Sequence, residues 1–124
     1  MKVNLLKSKL HRATVTATAL GYEGSVSLDR QLMRAAGLYE FEKVLIANVA
    51  TGARFETYCL ASDKPGVVCL NGAAARLAVI GDLVIIMAFT YVEASEAPNF
   101  KPQVALVDSQ NRIINPRDPD LITV

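Results

Sequence analysis

Soft metal ligands are scarce in this chain: two cysteines, Cys59 and Cys69, and one histidine, His11, among 124 residues are too few for a tetrahedral zinc site. Both cysteines lie in apolar, strand-like surroundings, where small buried reduced thiols without a function are expected. No charge of one sign dominates either. Thirteen Lys and Arg against twelve Asp and Glu leave a net charge of +1, which argues against a strongly basic nucleic-acid binder, and 52% hydrophobic residues argue against a disordered tail. Long apolar runs are missing: the longest, Leu83 to Phe89, has seven residues where a membrane span needs about 20. The opening Met1-Lys2-Val3-Asn4-Leu5-Leu6-Lys7 returns to charge too soon for a signal peptide, so a cytoplasmic protein is expected. The usual catalytic signatures, GxSxG, the Walker loop, GxGxxG and HExxH, are absent as well.

What is present reads as one domain, residues 1–124, built from short strands. Thr14 to Thr18 alternates and is rich in β-branched residues, and Val26-Ser27-Leu28 is extended. Asp29 caps a short helix carrying Leu32, Met33 and Ala36 on one face and closed by Gly37. Val44–Val49 and Phe55–Leu60 form an antiparallel hairpin through Gly52, and Pro65-Gly66 makes a type II turn into a strand over Val67–Leu70. A brief helix over Ala73–Ala78 and a turn at Gly81-Asp82 precede Leu83–Tyr91, the best candidate for a central strand. Beyond Glu93, Pro98, Pro102, Pro116 and Pro119 leave Val104–Val107 and Ile113-Ile114 as edge strands in a tail expected to wrap rather than build. Many strands with two short helices define a small, mainly-β barrel or sandwich.

Chemistry concentrates in a few places. Lys7, Lys9, His11 and Arg12 crowd the first dozen residues, either to meet an anionic ligand or as a solvated basic edge that blunts an exposed strand. Gly21-Tyr22-Glu23-Gly24-Ser25 marks a tight bend where the backbone is expected to be strained. A serine after a strained glycine can attack the preceding carbonyl, although Gly24-Ser25 alone is ordinary turn chemistry.

Five blocks decide between these readings. Lys9-Leu10-His11-Arg12, Gly21-Tyr22-Glu23-Gly24-Ser25, Thr51 to Tyr58 (TGARFETY), Asn71-Gly72-Ala73-Ala74-Ala75 and Gly81-Asp82 stand in one order and spacing. With them, roughly residues 1–92 resemble the bacterial aspartate 1-decarboxylases, pyruvoyl enzymes that make β-alanine for pantothenate. The resemblance implies a six-stranded double-psi β-barrel with short helices, assembled as a homotetramer with active sites between subunits. It also implies self-cleavage at Gly24-Ser25 into fragments 1–24 and 25–124, with Ser25 becoming the pyruvoyl group that forms a Schiff base with substrate. Thr57 would polarise the Gly24 carbonyl, and Tyr58, a phenol ordinarily protonated at neutral pH, would return the proton after carbon dioxide leaves. Arg54 and Lys9 would hold the L-aspartate carboxylates, with His11, Tyr22, Asn71, Gly72, Ala73, Ala74 and Ala75 lining the pocket. Some members need a maturation protein to cut efficiently. Ala53 departs from the charged residue common in relatives, and the segment after Asp82 matches loosely. Two other readings are a non-catalytic barrel module, such as a small DNA-binding regulator with a concentrated basic face, and a relative that keeps the fold but never matures.

Overall fold

A computed structural model describes residues 1–115 of the chain. Nine strands form one sheet: β1 (Lys2–Thr14), β2 (Ala17–Ala19), β3 (Ser25–Asp29), β4 (Lys43–Asn48), β5 (Arg54–Ser62), β6 (Val68–Asn71), β7 (Leu83–Glu93), β8 (Gln103–Val107) and β9 (Ile113–Asn115). Their spatial order is β2-β6-β3-β5-β4-β7-β1-β8-β9. Parallel pairs (β1 with β8, β2 with β6, β3 with β5) are set among antiparallel ones. The mainly-β, barrel-like architecture with short helices is therefore present. The sheet has nine strands where six were expected, two of them, β2 and β9, only three residues long.

The expected strand over Thr14–Thr18 is divided between the end of the thirteen-residue β1 and β2, with a break at residues 15–16. Lysines interrupt the apolar pattern of β1, and register shifts between Leu6 and Ser8 and between Leu10 and Ala13 break the simple alternation. Far from being an edge, β1 lies between β7 and β8, so its basic residues do not blunt an exposed strand; Lys7 turns back to Gly37 O (2.6 Å) and Glu42 (3.1 Å). The tail also builds rather than wraps, since β8 runs parallel to β1 and buries Val104, Ala105 and Val107. Pro116 and Pro119 lie outside the described residues.

Local signals are realised closely elsewhere. Helix α1 (Arg30–Ala36) starts where the Asp29 carboxylate accepts from Gln31 N at 2.8 Å, and it ends at Gly37 in the left-handed region (φ 72°). The second Asp29 oxygen accepts from Gly66 N at 2.8 Å, joining the helix start to the Pro65-Gly66 turn. β4 and β5 pair antiparallel, with Ile46 opposite Phe55. The expected helix over Ala73–Ala78 is a 3₁₀ helix over Gly72–Arg76. The core gathers Leu10, Leu28, Leu32, Ile46, Leu70 and Ile86, all essentially inaccessible to solvent. Each such side chain contributes about 1.5–3 kcal/mol relative to exposure.

Candidate active site

Strand periodicity builds the site. On β3, Val26 and Leu28 enter the core while Ser25 and Ser27 face the other way; on β6, Val68 and Leu70 enter the core while Cys69 and Asn71 do not. β5 obeys the same rule, with Cys59 buried and Tyr58 and Leu60 on the outer face. The side chains turned away from the core, with Ala19 at the end of β2 and Tyr22 and Glu23 of the adjoining bend, line a cavity of about 530 Å³. β3 lies between β6 and β5, with Ser25 opposite Asn71 and Val26 opposite Cys59, so Ser25 and Tyr58 each immediately precede the first parallel-paired residues.

Ser25 is buried, 2% exposed, at the head of β3, directly after the exposed Gly24. The Asn71 amide donates to Ser25 Oγ at 2.8 Å and to Ser27 Oγ at 3.0 Å, and the Cys69 thiol donates to Asn71 Oδ1 at 3.3 Å. The expected backbone strain is absent from Gly21 and Gly24, neither of which has positive φ. The constrained glycine is Gly72, at φ +62°: a Cβ there would stand 2.7 Å from Gly24 N and Tyr22 O and 2.8 Å from Gly24 Cα. A small residue after Asn71 thus lets the 3₁₀ helix lie directly against the Gly24 peptide.

The remaining expected site residues lie off this cavity. Thr57 is out of phase with Tyr58 and faces the opposite side of β5. Arg54 shares Tyr58's phase but is exposed at the strand's start, four positions and therefore about 13 Å away. Lys9 and His11 are on β1, against β7 and β8. His11 borders a separate hollow with Arg12, Leu106 and Ile114; its Nδ1 is buried with no hydrogen-bond partner among the described residues. Burial first, then the charges of Lys9 and Arg12, hold its imidazole below the ordinary histidine value. Ala73 is exposed, Ala74 is buried beneath the 3₁₀ helix, and none of the three alanines lines the cavity.

Sequence reasoning missed Ser27, Leu60 and Cys69 as lining residues. Each stands two positions from a recognised one (Ser25, Tyr58 and Asn71), so strand periodicity contained the signal. Only Cys59 fits the expected fully buried thiol: burial, with the nearby Glu42 carboxylate, pushes its pKa up to about 11. Cys69 is half-buried and reaches the cavity, and both thiols are free.

A buried serine at a chain bend, hydrogen-bonded to an amide and sharing a cavity with a tyrosine, makes this a hydroxyl-lined site in a small mainly-β fold. Comparison with known proteins gives the family. The aspartate decarboxylase family profile matches residues 1–114. An aspartate 1-decarboxylase of Campylobacter jejuni is 56% identical over 111 residues, covering 90% of this chain and 88% of the relative. One from Caldicellulosiruptor bescii is 49% identical over 121 residues (97% and 94%), and one from Lactiplantibacillus plantarum 54% over 114 (91% and 88%). The crystal structure of the computationally designed msDPBB_sym2 protein aligns with 68% of this chain and 98% of its own at 21% identity and a TM-score of 0.46. The chain belongs to the aspartate decarboxylase family.

Proposed function

We propose that this chain decarboxylates L-aspartate to β-alanine and carbon dioxide, using a pyruvoyl group made from its own Ser25. Family membership supports the overall reaction, and β-alanine formed this way would serve pantothenate synthesis. The observation that carries the residue assignment is the Ser25 hydroxyl, hydrogen-bonded to Asn71 at the wall of the cavity that Tyr58 also lines.

Processing uses this chain's own atoms. Ser25 Oγ attacks the Gly24 carbonyl carbon; the Gly24–Ser25 C–N bond then breaks and the nitrogen takes up a proton, leaving an ester. Loss of the Ser25 α-proton expels the Gly24 carboxylate and leaves a dehydroalanine, to which water adds with release of ammonia. Fragments 1–24 and 25–124 result. The site fits a group at position 25: it is buried, faces an open cavity and lies beside an amide donor. A ketone there supplies the electron sink that amino-acid side chains lack.

The chain's residues then divide the work. Tyr58 Oη holds the proton delivered to carbon after carbon dioxide leaves. Arg54 clamps the substrate's β-carboxylate and Lys9 adds a mobile positive charge, so that the α-carboxylate lies in the less polar part of the site, where its charge is most easily lost. Because Arg54, Lys9, His11 and Thr57 lie off the cavity of their own chain, we place them at the cavity of a neighbouring copy, with Thr57 polarising the scissile carbonyl across that boundary. Exposed Tyr39, Phe41, Val79, Ile80 and Tyr91 support burial between subunits of a homotetramer. The mixed parallel and antiparallel pairing supports a double-psi arrangement of the barrel.

Intact mass under denaturing conditions tests this reading. Two fragments divided between Gly24 and Ser25, the larger headed by pyruvoyl, are expected. Ser25→Ala should abolish both cleavage and aspartate decarboxylation, and decarboxylation by that variant would overturn the mechanism. A wild-type chain cut only after addition of a cell extract would instead point to a maturation partner.

A further inference from the structure

Asn71 is 7% exposed, so the orientation of its carboxamide is set by protein neighbours rather than by water. Both ends of that amide are engaged. The nitrogen donates to Ser25 Oγ (2.8 Å) and Ser27 Oγ (3.0 Å), and the oxygen accepts from the Cys69 thiol (3.3 Å). The four residues form a square on one face of the β3/β6 ladder, where Ser25 lies opposite Asn71 and Ser27 opposite Cys69. Two of its corners, Ser27 and Cys69, have no role in the chemistry described above.

Rotating the amide by half a turn would exchange donor for acceptor at Ser25. In the observed orientation Ser25 Oγ accepts, which leaves its own hydrogen free to be drawn off as the oxygen attacks Gly24. In the rotated orientation Asn71 Oδ1 would accept that hydrogen and tie it to a group with almost no basicity. Ser25 alone cannot discriminate, because a hydroxyl serves either orientation. Cys69 discriminates, since a thiol is a better donor to a carbonyl than an acceptor from an amide; Ser27, like Ser25, serves either orientation, and its bond holds the amide in the one that Cys69 selects. Burial raises the Cys69 pKa and so helps to keep its donor hydrogen in place at neutral pH.

We propose that Ser27 and Cys69 are positioning residues that lock the Asn71 amide, and through it the Ser25 hydroxyl, in the orientation competent for chain cleavage. This inference rests on the self-processing reading given above.

The test is the first-order rate of scission between residues 24 and 25, followed by timed denaturing mass spectra after cell-free synthesis of the full chain. Ser27→Ala and Cys69→Val should each slow scission about tenfold while shifting the melting temperature by no more than a few degrees. Cys69→Ser keeps a donor at that position but its hydroxyl also accepts, so its rate should fall between those of wild type and Cys69→Val. A pH series adds a readout that packing alone would not move: at alkaline pH, ionisation of the thiol removes the donor, so the wild-type rate should fall relative to that of Cys69→Ser. Wild-type rates in both Ser27→Ala and Cys69→Val, or a Cys69→Ser variant as slow as Cys69→Val, would overturn the positioning role while leaving self-processing intact. A wild-type chain that does not cleave even after addition of a cell extract, or a Ser25→Ala chain that does, would overturn the processing reading and the positioning role with it.

Discussion

Gly72→Ala isolates the link between backbone conformation and processing. The added methyl would stand 2.7 Å from Gly24 N and Tyr22 O and 2.8 Å from Gly24 Cα, all backbone atoms. Ordinary contact needs about 3.5 Å, so the bend must retreat by about 0.8 Å. An alanine at φ +62° adds about 1–2 kcal/mol of conformational strain, and crowding of this kind adds about 1–3 kcal/mol where the surroundings resist. The bend over residues 21–24 is exposed and yields more readily than the core, so the global loss should sit near 2 kcal/mol, a fall in melting temperature of about 5–10 °C. Scission depends more steeply on geometry. Displacing the Gly24 carbonyl from Ser25 Oγ by nearly 1 Å should slow it about 100-fold. The assay pairs calorimetry with timed intact mass spectra on the same preparation. Scission at the wild-type rate in a folded variant would refute the argument that Gly72 sets the position of the Gly24 peptide.

Tyr58→Phe should cleave normally yet lose aspartate turnover by at least about 100-fold; normal decarboxylation in a coupled carbon dioxide assay would remove Tyr58 from the proton-delivery step. Asn48→Ala should lower stability by about 2–4 kcal/mol, read as a shifted urea midpoint at unchanged slope. The buried Asn48 amide donates to Leu77 O (3.1 Å) and Asp82 (2.9 Å), and its oxygen accepts from Ala50 N (2.9 Å), so truncation strands groups on three segments. His11 binds its proton less readily folded than unfolded, so its contribution to stability is neutral well above the ordinary value of about 6.5 and turns unfavourable as pH falls through it. His11→Gln should therefore lose less melting temperature between pH 7.5 and pH 5 than wild type, and parallel losses in the two proteins would contradict the assigned environment.

Local chemistry was legible wherever one residue type dictates one geometry. The Asp29 cap, the Gly37 terminus, the Gly66 turn and the β4–β5 hairpin all follow from side chains acting within a few positions. β1 was not legible, because its register shifts interrupt the alternation that marks a strand and its lysines mimic an exposed edge. β8 was legible as a strand over Val104–Val107, but not its place between β1 and β9, because the flanking prolines suggested an edge. At the site, Gly24, Ser25 and Asn71 were visible through a motif, while Ser27, Leu60 and Cys69 follow from strand alternation, and only the strand order brings all three to one cavity. Gly72 shows the same limit: its sequence neighbours do not reveal that the surface it must clear belongs to a bend nearly fifty residues earlier.

The interior place of β1 bears on how the protein would lose its fold. A break between Gly24 and Ser25 turns residues 1–24 into a separate peptide, yet that peptide carries the strand lying between β7 and β8 as well as the β2 segment paired with β6. While the chain is continuous, β1 finds its slot as a tethered segment at an effective concentration of about 1 mM. Once the tether is gone, a sample heated at about 1 μM must reassemble from two molecules, forfeiting about 4 kcal/mol of the driving force. Melting of the cut protein should then depend on concentration and show hysteresis, with lifetime set by the barrier to unzipping β1. Folding would be completed before the cut and preserved after it by slow escape rather than by reversible equilibrium.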